Sequence, residues 1–228
     1  MDEKEKKLKL EQKKNDFINM LRSRNVVFDL EHESEDEIIS RIIKKVPTQT
    51  SIYRTSRGLG SISNTVKDAA KKEAYSYLDK QFNEVFKKED LTQDSYKEWF
   101  EKTCKDLTKR FNEGIKNNCD KATEKYLTLG QAQKWISMVM KYIYCLDLVE
   151  FKFEYCYCPI DNIIKEKALE IRAENGKPAN LKGLGKTPSW SKINQFDDLI
   201  KIYSDIDDII KQNNLDCTQL EFDVLYWK

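Results

Sequence analysis

Two polar side chains at predicted helix starts have residue types and positions that could take part in nucleophilic chemistry at carbon. Lys134 lies in the first turn of an apolar helix that we expect to open near Gln131, after a tight turn at Gly130. The positive end of the helix dipole disfavours an ammonium there and favours the neutral amine that attacks carbon. Asp161 follows Pro159 and opens a second apolar helix, where a carboxylate would stay ionised opposite developing positive charge. The pattern allows a nucleophilic lysine and, separately, a carboxylate that stabilises positive charge.

Both residues also have ordinary structural interpretations. Lys134 can be a surface lysine in a chain that holds 40 Lys and Arg residues. Asp161 can be a helix N-cap, a position that Asp often fills, and a cap can be catalytic at the same time. The backbone amides at the start of the Lys134 helix would be unpaired donors, which is an arrangement that suits phosphate.

Other catalytic chemistries have few residues available. His32 is the one histidine and lies in an acidic run, which argues against Ser–His and Cys–His triads. The six cysteines include no C-x-x-C pair, so we expect no metal site, no cofactor and reduced thiols. The N-terminal segment is charged throughout, and no apolar stretch is long enough for a membrane span. These features predict a cytoplasmic protein with no membrane partner.

The elements that must position these residues are predicted to be mostly α-helical. Apolar residues repeat at i, i+3 and i+4 along several segments, of which residues 66–86 are the clearest. Capping boxes at Ser34-x-x-Glu37 and Thr218-x-x-Glu221 predict two further helix starts, and Pro47 is expected to follow the first of these helices. Residues 151–158 alternate aromatic and polar side chains, which predicts either a short strand or hairpin, or an extended loop. We expect a compact multi-helix domain.

Charge is segregated along a chain whose formal net charge is only +1. Residues 41–75 carry 8 basic and 2 acidic side chains, whereas residues 193–228 carry 3 basic and 8 acidic ones. A basic middle could form a phosphate-binding face, although solvated charged helices give the same pattern. Residues 1–45 could be an N-terminal helical arm or part of the same domain as residues 46–228.

The segment from Leu129 to Asp161 resembles the helix-hairpin-helix DNA glycosylase superfamily. Its hairpin motif, L-x-G-x-G-x-K, is similar to residues 129–134, with Gly130 and Lys134 matching and Ala132 in place of the second glycine. The family's P-[VI]-D element is similar to residues 159–161. The resemblance extends over residues 119–175 and predicts a helix-hairpin-helix element within a glycosylase-like domain.

This resemblance implies a DNA glycosylase, with or without lyase activity, that excises a damaged or modified base from a flipped nucleotide in duplex DNA. It implies that Lys134 attacks C1′ and that Asp161 assists. The DNA-contacting residues would be those of the hairpin, Gly130, Gln131, Ala132 and Gln133, together with Arg54 and Arg57 of a basic, glycine-bearing loop. A non-catalytic DNA-binding or protein-interaction helical protein stays open as the alternative, as does the oligomeric state.

Overall fold

The computed structural model describes residues 3–50, 52–55, 59, 62–119, 126–174 and 181–227. Over these ranges the chain forms helices and no strand, which confirms the mostly α-helical, compact multi-helix class. The helices are α1 (Glu3–Ser23), α2 (Glu35–Gln49), α3 (Ile52–Thr55), α4 (Asn64–Phe86), α5 (Gln93–Lys116), α6 (Leu129–Cys145), α7 (Asn162–Glu174), α8 (Phe196–Gln212) and α9 (Gln219–Tyr226). Short 3₁₀ turns form at Phe153–Tyr155 and Trp190–Lys192.

Both capping boxes predicted from the sequence are present. The Ser34 side chain accepts the Glu37 amide, and the Glu37 carboxylate accepts the Ser34 amide at 2.9 Å. Thr218 and Glu221 make the same reciprocal pair at the start of α9. Each box satisfies two amides that a helix start would otherwise leave unbonded, which is why these sequence patterns place helix starts well.

The prediction that Pro47 follows α2 is wrong, because Pro47 lies inside this helix. A proline in a helix lacks the N–H that would bond the carbonyl four residues earlier. That carbonyl belongs to Ile43, and it accepts the indole N–H of Trp135 at 3.0 Å instead. A side chain from α6 therefore satisfies the acceptor that Pro47 leaves open, and α2 continues to Gln49.

Two local predictions near the candidate site also need correction. Residues 151–158 form no strand or hairpin; Phe153–Tyr155 is a 3₁₀ turn within a loop, and the Phe153 ring packs against Tyr144 and Phe151. Gly130 is not in a tight turn, because α6 begins at Leu129 and contains it. Residues 120–125 lie outside the described residues, so the first half of the predicted hairpin is not seen.

Helix α6 is the centre of the packing. Each of its residues from Leu129 to Ile143 is buried, and it contacts α1, α2, α5 and the Trp190–Lys192 turn. Helices α4 and α5 pack closely on each other, and Gly114 lets the α5 backbone approach Ala70. One cluster of buried apolar side chains runs from Phe17 in α1 to Phe222 in α9. Helices α1 and α2 share this core, and a boundary at residue 45 stays a prediction.

None of the described helices combines the length and the apolar character that crossing a membrane requires.

Candidate functional site

Lys134 and Asp161 are brought together by the fold. The Lys134 amine lies 2.9 Å from Asp161 Oδ2, although the two residues are 27 positions apart. The same amine lies 4.5 Å from the centroid of the Trp190 ring. The Lys134 side chain is 10% exposed and that of Asp161 is 17% exposed. The predicted nucleophile and its predicted assistant therefore form one partly buried ion pair with an aromatic wall.

Gln133 holds the Asp161 segment against α6. Its amide nitrogen donates to the Ile160 carbonyl at 2.8 Å, and its amide oxygen accepts the Ile160 N–H at 3.1 Å. The Tyr203 hydroxyl donates to the same oxygen at 3.0 Å. Gln133 is fully buried, so it positions the chain leading into α7 and is not presented to a partner. This clamp fixes the distance between the start of α6 and the start of α7.

Asp161 has two structural tasks besides its contact with Lys134. Its Oδ1 atom accepts the Ile164 N–H at 3.1 Å, which is the side-chain bond of an N-cap. Its backbone carbonyl accepts the Lys165 N–H at 3.1 Å. One carboxylate oxygen therefore caps α7 while the other holds the lysine, so the cap interpretation and the paired interpretation apply together.

The hairpin amides predicted to contact phosphate are already bonded within the protein. The Gly130 N–H donates to the Ile193 carbonyl at 3.0 Å. The Gln131 N–H donates to the Thr128 hydroxyl, and the Ala132 N–H donates to the Thr128 carbonyl. All three predicted residues are buried. A phosphate at this helix start would have to displace these contacts, so the arrangement offers it no free donor.

Gly130 has a packing reason to be glycine. A Cβ placed on it would lie 1.7 Å from the Trp190 carbonyl oxygen, so no side chain fits without moving the backbone of the 190–192 turn. This close approach puts Trp190 beside the Lys134 amine. Glycine is therefore needed at residue 130 for the 190–192 turn to pack against α6, and its predicted contact with DNA stays a prediction.

The side chains of the two arginines of the basic loop lie outside the described part of the chain. Arg54 lies in α3, where only its backbone is described. Arg57 lies outside the described residues. Their predicted contact with DNA stays a prediction.

Lys134 and Asp161 line a small open pocket. Its volume is about 220 Å³, below the roughly 300–1,000 Å³ usual for a pocket that encloses a drug-sized ligand, so it suits one ring-sized or single-anion group. The wall comes from α1, the end of α2, α6, the start of α7 and α9: Phe17, Met20, Arg24, Gln49, Thr50, Lys134, Met138, Tyr142, Asp161, Ile163, Asp223 and Trp227. A larger cleft of about 540 Å³ lies beside α8 and α9 and includes none of the predicted site residues.

A second lysine–aspartate pair lies behind this pocket, and the sequence analysis did not find it. The Lys141 amine lies 2.6 Å from Asp223 Oδ2, and the two side chains are 0% and 2% exposed. The rings of Phe17 and Trp227 lie 4.9 Å and 4.8 Å from the amine. Burial raises the pKa of Asp223, and the Lys141 charge acts against that rise. The signal in the sequence was a lysine on the buried stripe of α6, seven residues after Lys134.

No protein-family model, no curated protein and no solved structure matches this chain. Within the described ranges, no three His, Cys, Asp or Glu side chains gather as a metal site would require. The case for a function therefore depends on the pocket and on the resemblance over residues 119–175.

Proposed function

We propose that this chain is a DNA glycosylase that works in the cytoplasm on duplex DNA, with Lys134 as nucleophile and Asp161 as the assisting carboxylate. One observation carries the proposal: the two residues that the resemblance assigns to catalysis lie 2.9 Å apart at the wall of an open pocket. A small pocket lined by the rings of Phe17, Tyr142 and Trp227 suits one sugar or base ring of a nucleotide flipped out of the helix.

The proposed reaction needs only the groups named. The neutral Lys134 amine attacks C1′ of the flipped nucleotide as the bond from C1′ to the base breaks. The base departs with the electron pair of that bond and takes up a proton from water. Asp161 stays ionised and stabilises the positive charge that develops on the sugar. The nitrogen of the new C1′–N bond loses a proton to water; the C1′–O4′ bond then breaks, O4′ takes up a proton, and C1′ and nitrogen form a Schiff base, from which elimination can cut the strand.

The resting arrangement sets one requirement on this chemistry. The Lys134 amine is paired with the Asp161 carboxylate and lies on the Trp190 ring, and both contacts stabilise an ammonium. Only the neutral amine attacks carbon. Binding of the nucleotide must therefore separate the amine from Asp161 and allow it to lose a proton to water.

A second candidate function is that of a non-catalytic binding protein with the same helical scaffold. The observation that favours it is the state of the hairpin, where Gly130, Gln131 and Ala132 are buried and their amides are bonded within the chain. On this interpretation, the Lys134–Asp161 pair joins α6 to the start of α7 and carries out no reaction.

Borohydride trapping on DNA that contains an abasic site separates the two candidates. The wild-type protein should give a covalent adduct, since reduction fixes the Schiff base, and Lys134→Ala should give none. Lys201→Ala is the matched control, because Lys201 is an exposed lysine on α8 outside the pocket. It should trap as efficiently as the wild type.

Asp161→Asn refines the test. Asparagine keeps an oxygen that can cap α7, so the fold should be retained while the negative charge is removed. We expect trapping on a duplex that still carries its damaged base to be slower by roughly 100–1,000-fold, the usual effect of losing one electrostatic contact in the transition state of base loss. If no lesion in a panel of damaged duplexes gives a wild-type adduct, base excision through Lys134 is wrong and the second candidate stands.

A further inference from the structure

Arg24 stands apart from the other charged groups of the pocket described above. It follows the last turn of α1, its side chain is exposed, and no carboxylate pairs with it among the described residues. Asp161 and Asp223, the two acidic residues of the pocket wall, each form an ion pair with a lysine, at 2.9 Å and 2.6 Å. Each of those pairs is neutral as a unit. The pocket therefore keeps one uncompensated positive charge, and it belongs to Arg24.

Tyr142 supplies a second donor next to this charge. Its side chain is buried, its hydroxyl has no hydrogen-bond partner among the described residues, and the residue lines the pocket. Arg24 and Tyr142 line the same pocket. Burial raises the pKa of Tyr142, and the Arg24 charge acts against that rise. A phenol that stays protonated is a hydrogen-bond donor throughout the physiological pH range.

Lys134 and the start of α7 also line this pocket. The Lys134 amine has three N–H donors, one of which is directed to Asp161. Helix α7 begins at Asn162, between pocket residues Asp161 and Ile163, so the positive end of its dipole adds to the potential there. Arg24, Tyr142 and Lys134 all line this pocket, so an oxyanion bound in it has two charged donors and a phenol in its lining.

We propose that this pocket binds one phosphate group through the Arg24 guanidinium, the Tyr142 hydroxyl and the Lys134 amine. The volume of about 220 Å³ suits a single group of this size. The guanidinium fork matches two phosphate oxygens at once, and charge-assisted bonds of this kind are about twice as strong as neutral ones. The phosphate can belong to a nucleic acid backbone or be free in solution. It uses Lys134 as a charged donor and fills a pocket sized for one group, so it and a flipped nucleotide would occupy this pocket one at a time.

Calorimetric titration with inorganic phosphate tests the site directly, with sodium chloride adjusted to keep the ionic strength constant. The wild-type protein should bind one phosphate per chain. Arg24→Ala should weaken binding by roughly tenfold or more, the effect expected for losing a hydrogen bond to a charged group. Arg24→Lys should fall between the two, because it keeps the charge and loses the fork.

Arg22→Ala is the matched control, since Arg22 is an exposed arginine in the last turn of the same helix and does not line the pocket. It should bind phosphate as the wild type does. Tyr142→Phe removes only the hydroxyl and should weaken binding several-fold. Absence of phosphate binding by the wild type, or equal loss in the Arg22 and Arg24 variants, would overturn the proposal.

A second arm identifies the source of the phosphate. A short single-stranded oligonucleotide that competes with inorganic phosphate, and does so only while Arg24 is present, points to a nucleic acid backbone. Lack of competition with intact phosphate binding points to a free phosphate group. Either result keeps the site, and both are independent of borohydride trapping, so a failure here can be told apart from a failure of base excision.

Discussion

Lys134 and Lys141 lie seven residues apart on α6, and each is bonded to a carboxylate from a distant part of the chain. Lys134 meets Asp161 at the rim of the pocket, and Lys141 meets Asp223 in the fully buried layer behind it. The spacing of about two helical turns puts both amines on one side of α6. The outer pair is 10% and 17% exposed, whereas the inner pair is 0% and 2% exposed and joins α6 to α9.

Removing one residue of the inner pair should lower the free energy of unfolding strongly, whereas replacing both residues with apolar ones should not. Asp223→Ala leaves the buried Lys141 charge without a partner, and we expect it to lower the free energy of unfolding by about 3–5 kcal/mol. The double variant Lys141→Met with Asp223→Leu removes both charges and should be close to the wild type or more stable. Urea denaturation followed by circular dichroism measures both values.

An exposed pair provides the comparison for this prediction. Lys201 and Asp198 form an ion pair of 3.1 Å on α8, with side chains 48% and 25% exposed. Lys201→Ala should change the free energy of unfolding by no more than about 1 kcal/mol, because water screens such a pair. Equal losses in Lys201→Ala and Asp223→Ala would show that burial does not distinguish the two pairs.

At the scale of elements, local signals predicted helix starts, and contacts with other elements decided the exceptions. The capping boxes at Ser34 and Thr218 are complete within four residues, so the sequence contains all that they need. The predictions of a helix end before Pro47 and of a turn at Gly130 were wrong because groups distant in the sequence determine the structure at both positions. Trp135 satisfies the carbonyl that Pro47 leaves open, and the Trp190 turn occupies the space that a side chain at residue 130 would fill.

The packing role of Gly130 gives a prediction at this scale. Gly130→Ala places a methyl group against the Trp190 carbonyl, and we expect overpacking to lower the free energy of unfolding by about 1–3 kcal/mol. It should also disturb the Trp190 wall beside Lys134, so Trp fluorescence should change in the folded protein. Thermal denaturation and the emission spectrum are the measurements.

Gly114→Ala is the control for that prediction. A Cβ at this position would lie 3.2 Å from its nearest neighbour, the Ala70 Cα, so a small shift accommodates it. Alanine also has a higher helix propensity than glycine, by roughly 1 kcal/mol in a helix interior. Gly114→Ala should therefore cost much less than Gly130→Ala. If both variants are equally stable, the close approach at Gly130 does not determine the residue type.

For the molecule as a whole, the sequence predicted the fold class and the pairing of Lys134 with Asp161, and left out the buried polar network. The apolar periodicity of a helix is set by residues near one another in the sequence, so it can be recognised without knowing the fold. Asp205 accepts three backbone N–H groups from residues 182–184, and it lies on an amphipathic helix where an aspartate is expected to be exposed. Polar residues with buried partners more than 20 positions away give no local signal, so they appear only once the core is assembled.

The thiols report whether that core is one cooperative unit. Cys104, Cys145, Cys156 and Cys158 are buried, and burial raises the pKa of each, to about 12 for Cys145 and Cys156. At pH 8 the thiolate, which is the reactive form, would be roughly 10⁻⁴ of such a thiol. Cys217 also has a raised pKa, about 12, through burial and the Glu221 charge. Cys119 is half-buried and should react first with a thiol reagent.

Thiol labelling in increasing urea then decides whether residues 1–45 are an arm or part of the domain. The four buried thiols lie in residues 104–158, while circular dichroism also reports α1 and α2. Since Phe17 packs on Tyr142 and Trp227, we expect one transition with the same midpoint by both methods. Helix loss at a lower urea concentration than thiol exposure would mean that α1 and α2 unfold separately, and the boundary near residue 45 would then be a domain boundary.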